Sequence, residues 1–402
     1  MTFATGVAKQ VIIAKEVTEG VNPVVGGKVL RRVSSDLSLN VDSYESQEIL
    51  VSQQLRDARH GVHRPQGTFA GQLSPGSFND FWEGILRSTW TAGATLAGLA
   101  LTLDLELGTL TCVAGGLLAE LHQEDIIELT GIAAPNAALN GVKLRINGLS
   151  DTIITSRDLN AQMGTTLGLS DGALAAVGLA VSGKKLFTPA TGQLFNSYSI
   201  EHWFSDVELS ECFVGCKFGN CSVALPATGL VTFSVQILGI DMLPVVTLQQ
   251  LTDPADITTS SALAAVNGKL SYNGVDLAVV TGMNLQIAGA TQADPVVGSN
   301  IVPHIFNGRL RVTGSMTVLF EDETIFNTFL DEIEVSASVM LYSGATSASD
   351  FMRITFPRLK LMSSSKSDGD MSLIQSFNFT ALENVDNPLF DLSTIIMQDS
   401  LA

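Results

Sequence analysis

The 402-residue sequence has little basic charge, few aromatic side chains and no long apolar run. Lys and Arg number 22 against 40 Asp and Glu, for a formal charge of −18. Duplex DNA carries about one negative charge per 1.7 Å of axis and is gripped through many Lys and Arg contacts. A tight, sequence-reading DNA binder is thereby excluded, whereas a wall past which DNA slides is not. No apolar segment approaches the roughly 18 residues of a membrane-crossing helix. The best run, Ala92 to Leu103, is interrupted by Gly93, Thr95 and Gly98, and no membrane contact is expected. There are four cysteines. Cys212, Cys216 and Cys221 follow C-x3-C-x4-C, with Cys112 remote, which is not a zinc pattern, and free thiols are expected. Met1 to Gly6 lacks the basic and apolar blocks of a secretory signal, so the chain is expected to be made and kept in a cytoplasm.

Recognisable chemistry is also missing. Gly168-Leu169-Ser170-Asp171-Gly172 has the form of a nucleophile elbow, which requires a strand before it and a helix after it. The preceding stretch is Gly-rich and irregular, so a turn is expected. Gly178 to Lys184 fits G-x4-G-K, but Lys185 stands where a phosphate loop needs Ser or Thr on magnesium. His60, His63, His122, His202 and His304 keep no metal-ligand spacing and read as surface or interface residues. No pair of carboxylates suggests acid–base work. No catalytic residue, cofactor or metal is assigned.

What the sequence does contain is β pattern. Asp36 to Val41 and Val231 to Ile237 alternate polar and apolar residues, the period of a half-buried strand. Asn-Gly pairs at 140–141, 267–268, 273–274 and 307–308 suggest tight turns, since both residues tolerate positive φ. Two segments are helical instead. Phe78, Phe81, Trp82, Ile85 and Leu86 make one apolar face over 78–88, with Ser77 and Asp80 as a capping box. Ile325, Phe326, Phe329 and Leu330 do the same over 322–331, with Glu321, Asp322 and Glu323 in the first turn.

The surroundings of the two helices match. Each follows a strand with a glycine in register, Gly71 or Gly314, and each strand follows a polar stretch, Glu45 to Arg64 or Ala288 to Asn307. Closing strands come after: Tyr198 to Phe204 and Gly229 to Leu238, then Met352 to Phe356 and Met371 to Ala381. The order implies a duplication, with residues 1–101 and 187–250 as the first copy and 251–402 as the second. Between them, 102–186 reads as an inserted β module, through Asp125 to Gly131 and Asn140 to Ile146. Insertions are best tolerated where they point outward.

With Asp36 to Val41, Arg56-Asp57-Ala58-Arg59-His60-Gly61, Gly71 to Gly76, Tyr198 to Glu201, Gly215 to Phe218 and Pro226 to Gly229 in the first copy, a family resemblance emerges. The second copy adds Gly308 to Ser315, Phe356 to Lys360 and Phe377 to Leu382. The sequence resembles the major tail tube proteins of long-tailed, siphovirus-type bacteriophages, in the branch with two tube repeats per chain. The resemblance implies a mainly β fold of two tail-tube β-sandwich repeats, each with one flanking helix, whose inner sheets join between subunits into a barrel. It implies a structural subunit that stacks as rings into the conduit for DNA ejection. Its partners would be further copies of itself, three per ring with pseudo-sixfold symmetry, tape measure protein and viral DNA in the lumen, and tail tip and terminator proteins at the ends. Its place would be the virion, after assembly in the host cytoplasm. Competing readings are a tail terminator or baseplate hub of the same fold, or a secreted β-rich adhesin. Arg56, Asp57, Arg59, His60 and Arg64 give the polar stretch an unusual charge density and are expected at a contact between rings, where paired charges fix register. Asp36, Asp42, Glu45 and Glu48 are lumen candidates, because a wall that repels phosphate would not hold DNA.

Overall fold

The computed structural model describes every residue except 1, 2, 50, 160–167, 278, 279, 320–323, 345, 347, 348 and 368–372. Glu321, Asp322, Glu323 and Met371, used in the readings above, lie outside the described residues. The chain is mainly β, with its largest sheet curled into a half-barrel.

Its first part holds β1 (Lys9–Lys15), β2 (Ser38–Glu45), β3 (Ala58–Gln72) and α1 (Asn79–Leu86). An inserted sheet includes β4 (Thr95–Asp104), β5 (Ile126–Thr130) and β6 (Gly172–Val181). The first part then resumes with β7 (Tyr198–Phe204), β8 (Leu209–Pro226) and β9 (Thr232–Leu238). Next come β10 (Gly268–Tyr272), β11 (Val280–Ala288), β12 (Arg311–Leu319) and α2 (Thr324–Leu330). The chain closes with β13 (Val335–Tyr342), β14 (Phe351–Lys366), β15 (Ile374–Leu382) and β16 (Ile396–Asp399).

Antiparallel pairing runs β1·β7·β8·β9·β3·β2 in the first part. It runs β10·β13·β14·β15·β12·β11 in the second. The two are joined where β8 pairs with β11, from Asn220 opposite Ala288 to Pro226 opposite Gly282. Buried and solvent-facing residues alternate along β9, β11 and β15, as a sheet covered on one face requires. One row, Phe69–Val235–Cys221–Ile287–Val312–Ala381–Leu359, is buried throughout.

α1 covers that apolar face. Phe78, Phe81, Trp82, Ile85 and Leu86 are buried, with Phe81 5.0 Å from the Phe69 ring and Phe78 5.0 Å from Phe233. Full burial of such a side chain is worth roughly 1.5–3 kcal/mol, so the stripe sets the seat of the helix. The expected capping box does not form. Ser77 instead bonds Ser74 and Thr258 at 2.6 Å each, and no side chain caps the helix. Arg87 ends the helix at φ 58, donating its N–H to Glu83 O. Of the four Asn-Gly pairs, Asn273-Gly274 makes the two-residue hairpin turn, with φ of 50 and 75. Gly268 instead opens β10 at φ −87.

The insert is a seven-stranded sheet with its own core, including Leu101, Leu110, Ile127, Leu144 and Leu179. Its first strand starts at Thr95, ahead of the boundary expected at 102, and its last ends at Val181. Lys184–Phe187 already pairs with β16 in the main sheet. Although the insert interrupts the first part of the chain, it packs on the second: Ile126 clusters with Met340, Tyr342 and Phe351.

Candidate functional site

Four features are left over once the core is accounted for: an open sheet face, two unpaired strand edges, a projecting arm and a buried ionic seam. The open face lies opposite the helices. Across it run Ala70–Ser234–Ser222–Gln286–Thr313–Thr380, in register over six strands, and Gln72–Thr232–Ala224–Asn284–Ser315–Asn378–Ser363, over seven. Each is exposed or half-buried. The edges are the outer side of β2 and the side of β14 beyond Leu359 that faces away from β15. Unpaired edges are templates for further strands.

The arm is the distal part of the β2–β3 hairpin. The expected polar loop from Glu45 to Arg64 is therefore mostly strand: Arg59, His60 and Arg64 lie in β3, opposite Tyr44, Ser43 and Asn40. Only the segment beyond Glu45 and before Ala58 turns, and it holds Glu48, Arg56 and Asp57. Its charges pair locally, Arg56 with Glu48 at 3.4 Å and Arg59 with Asp57 at 3.0 Å, all four exposed. Such pairs contribute little stability. Ile49 and Val51 at the tip are 99% and 103% exposed, and Leu55 is 59% exposed. Of the lumen candidates, Asp36 accepts a bond from Thr68 N at the rim of the open face, Asp42 is exposed farther along β2, and Glu45 ends that strand where the tip begins.

The connection between β11 and β12 is packed down instead. Its strands Thr291–Ala293 and Ile305–Asn307 pair, and Val302 and Ile305 are buried against Ile240. Lys217 donates to Ile305 O at 2.9 Å and meets Glu19, also at 2.9 Å, while Glu19 lies 2.9 Å from His304.

The ionic seam was missed by sequence reading. Asp125, wholly buried between the insert and the second part, meets Lys185 at 3.1 Å and Arg353 at 3.0 Å. Burial works to raise its pKa, but the Lys185 and Arg353 charges outweigh that and hold it below the usual range. Lys185 also reaches Asp391. A second cluster joins Arg145 to Glu124 at 3.8 Å and to Asp276, and Lys269 to Asp158 at 3.0 Å. No spacing links these residues in sequence. Lys185, met earlier as the misfit in a phosphate-loop pattern, is part of this seam.

The sequence decoys resolve structurally. Ser170 exchanges backbone bonds with the Asn136 amide at 2.9 Å, and β6 rather than a helix follows it. His202, expected at the surface, is 1% exposed and bonds Ser35 at 2.9 Å. The four cysteines are buried free thiols. Burial pushes the Cys212 thiol up to about 12 and raises Cys216 and Cys221 as well. Among the described residues, no group of three or more His, Cys, Asp or Glu could hold a metal, and no helix is long and apolar enough to cross a membrane.

The main sheet thus presents an open polar face, two free edges and an apolar-tipped arm. A family model described as phage tail tube protein matches residues 6–381, and the chain belongs to that family. It is a structural subunit of the tail tube. No curated protein matches the chain.

Proposed function

We propose that the chain carries two tandem tube repeats, and that three copies close a ring of the siphovirus-type tail tube. The observation that carries this is the β8–β11 junction inside one chain, which supplies a template for the junction between chains. The two halves share more than strand order. Tyr198 faces Cys216 and Ile200 faces Phe213 across a bulge; Val335 faces Leu359 and Ala337 faces Phe356 across the same bulge. Two residues on, Phe218 faces Ile237 and Leu361 faces Phe379, each at the start of a second bulge. Bulges reset register, so two in the same places support the correspondence. They also correct the glycine match. Gly314 faces Phe379 and Gly67 faces Ile237, so Gly67, not Gly71, is the counterpart of Gly314.

Within the chain, Ser222 faces Gln286. Ser222 lies just past the second bulge of β8, as Ser365 does in β14; Gln286 faces Thr313, just before Gly314, as Ser38 faces Gln66, just before Gly67. Ser365 of one copy therefore pairs with Ser38 of the next. Six repeats then complete one barrel, a head-to-tail closure that leaves no edge. In this assembly the open face lines the lumen around tape measure protein and viral DNA. The insert, seated on β13, β16 and the first half of β14, lies outside. The arm reaches the next ring through Ile49, Val51 and Leu55, flanked by Arg56, Asp57, Arg59 and His60, with Arg64 at its root. Tail tip and terminator proteins cap the ends.

The test is a Ser38→Cys, Ser365→Cys chain, oxidised and run without reductant. Facing strand positions lie about 5 Å apart, within disulfide reach. Bands ending at three linked chains are expected. Tubes that form without cross-linking, or bands continuing to six chains, would refute the closure.

A further inference from the structure

The open face has a property that its exposure does not explain. Charged residues concentrate on protein surfaces, and this chain has 40 acidic and 22 basic residues to place. Yet the row through Asn284 contains no ionisable side chain, and the row through Ser222 contains none before it ends at Lys360 on β14. A third row, Gly282–Thr317–Ser376–Ser365, contains none either. Hydroxyls and amides take every large position. Charge begins only at the rim: Arg311 and Asp36 are exposed there, and Lys360, beside Thr380, is neutralised by Glu332 at 2.6 Å. Apolar residues are held to the opposite face, so this face is polar and, inside its rim, uncharged.

Resting on the reading of this face as the lumen, we propose that the conduit wall is electrically neutral, a lining of hydroxyls and amides that duplex DNA passes without being gripped or repelled by fixed charge. It departs from the acid-lined wall expected from composition. A basic wall would release counterions from each phosphate it met and hold the duplex with salt-dependent affinity. An acidic wall would add a repulsion, focused by the enclosing channel, to every base pair that entered. Ser, Thr, Asn and Gln keep a bound water layer and do neither. The surplus of acid is left for the outer surface and the insert.

The experiment reads the potential at one position. Ser222→Cys places an exposed thiol in the middle row, and the native thiols are buried. Its reaction rates with trimethylammonium and sulfonate methanethiosulfonates are compared, in assembled tubes and in the unassembled chain, with those of a small free thiol. A neutral wall gives a cation-to-anion rate ratio within about twofold of the free thiol. A potential of one thermal unit shifts the ratio about sevenfold, upward for an acidic wall and downward for a basic one, and either shift overturns the proposal. Adding Gln286→Glu, directly opposite, should raise the ratio and shows that the probe senses charge. Absence of tubes in micrographs would count against the tube reading alone, because the ratio on the free chain still decides the charge of the face.

Discussion

Asp125 of the insert and Arg353 of the second part meet at 3.0 Å, both side chains 1% exposed. The contact joins segments far apart in the chain and makes the insert a clamp on the body that follows it. Removing one partner of a buried pair leaves the other charged and dry, at about 3–5 kcal/mol. Here Asp125→Ala would strand Arg353 and leave Lys185 with Asp391 alone. The variant should lose several kcal/mol in denaturant melts, while Asp151→Ala, on an exposed insert loop, should lose under about 1 kcal/mol. Equal losses would mean that the seam does not clamp the insert.

Gly67 and Gly314, counterparts under the proposed repeat, should be intolerant for steric reasons. A Cβ at Gly67 would stand 2.4 Å from Leu37 Cα, and one at Gly314 would stand 2.5 Å from Asn284 O. Each neighbour is backbone and cannot swing aside. Gly67→Ala and Gly314→Ala should each cost about 1–3 kcal/mol, the usual penalty of overpacking. Gly98→Ala, with open space around it but φ +69, should cost less. Thermal unfolding of the three variants decides.

The arm should matter to polymerisation and not to folding. Replacing residues 47–56 by Asn-Gly removes the tip and leaves β2 and β3 paired. Ile49→Asp with Val51→Asp tests the apolar contact alone, since both are fully exposed in the single chain. Both variants should melt within a few degrees of the parent and fail to form long tubes by negative stain. Tubes of normal length would remove the arm from the contact between rings.

Asp399 should make stability depend on pH. Burial raises its carboxyl to about 6, against the partly offsetting bonds from Gly76 N and Leu401 N and the nearby Lys28 charge. The native state therefore holds a proton in a window where the unfolded state, near 3.8, does not. The Asp399 contribution is favourable below about pH 4 and is lost as pH rises through about 6. Relative to Asp399→Asn, the parent should gain of order 2 kcal/mol as pH falls from 7 to 4.5. A difference independent of pH would place the carboxyl elsewhere on the scale.

Local pattern determined much of this protein. The stripe from Phe78 to Leu86 specified α1, and the alternation around Val235 specified β9 and its two faces, because periodicity is set by bonds within a few residues. Scarcity of bases was equally legible. Tertiary structure decided the rest. The Glu45–Arg64 stretch read as a loop because polar residues mark loops, but an arm solvated on both faces is polar even where it is strand. Under the proposed repeat, Gly314 pairs off with Gly67 and not Gly71, because register passes across strands and through bulges, and no window along one strand contains it. Asp125, Lys185 and Arg353 carry no shared motif, since an ion pair needs proximity and not spacing. The neutral face was invisible for the same reason. Its rows run perpendicular to the chain, and only pairing brings Ser222, Gln286 and Thr313 into one line.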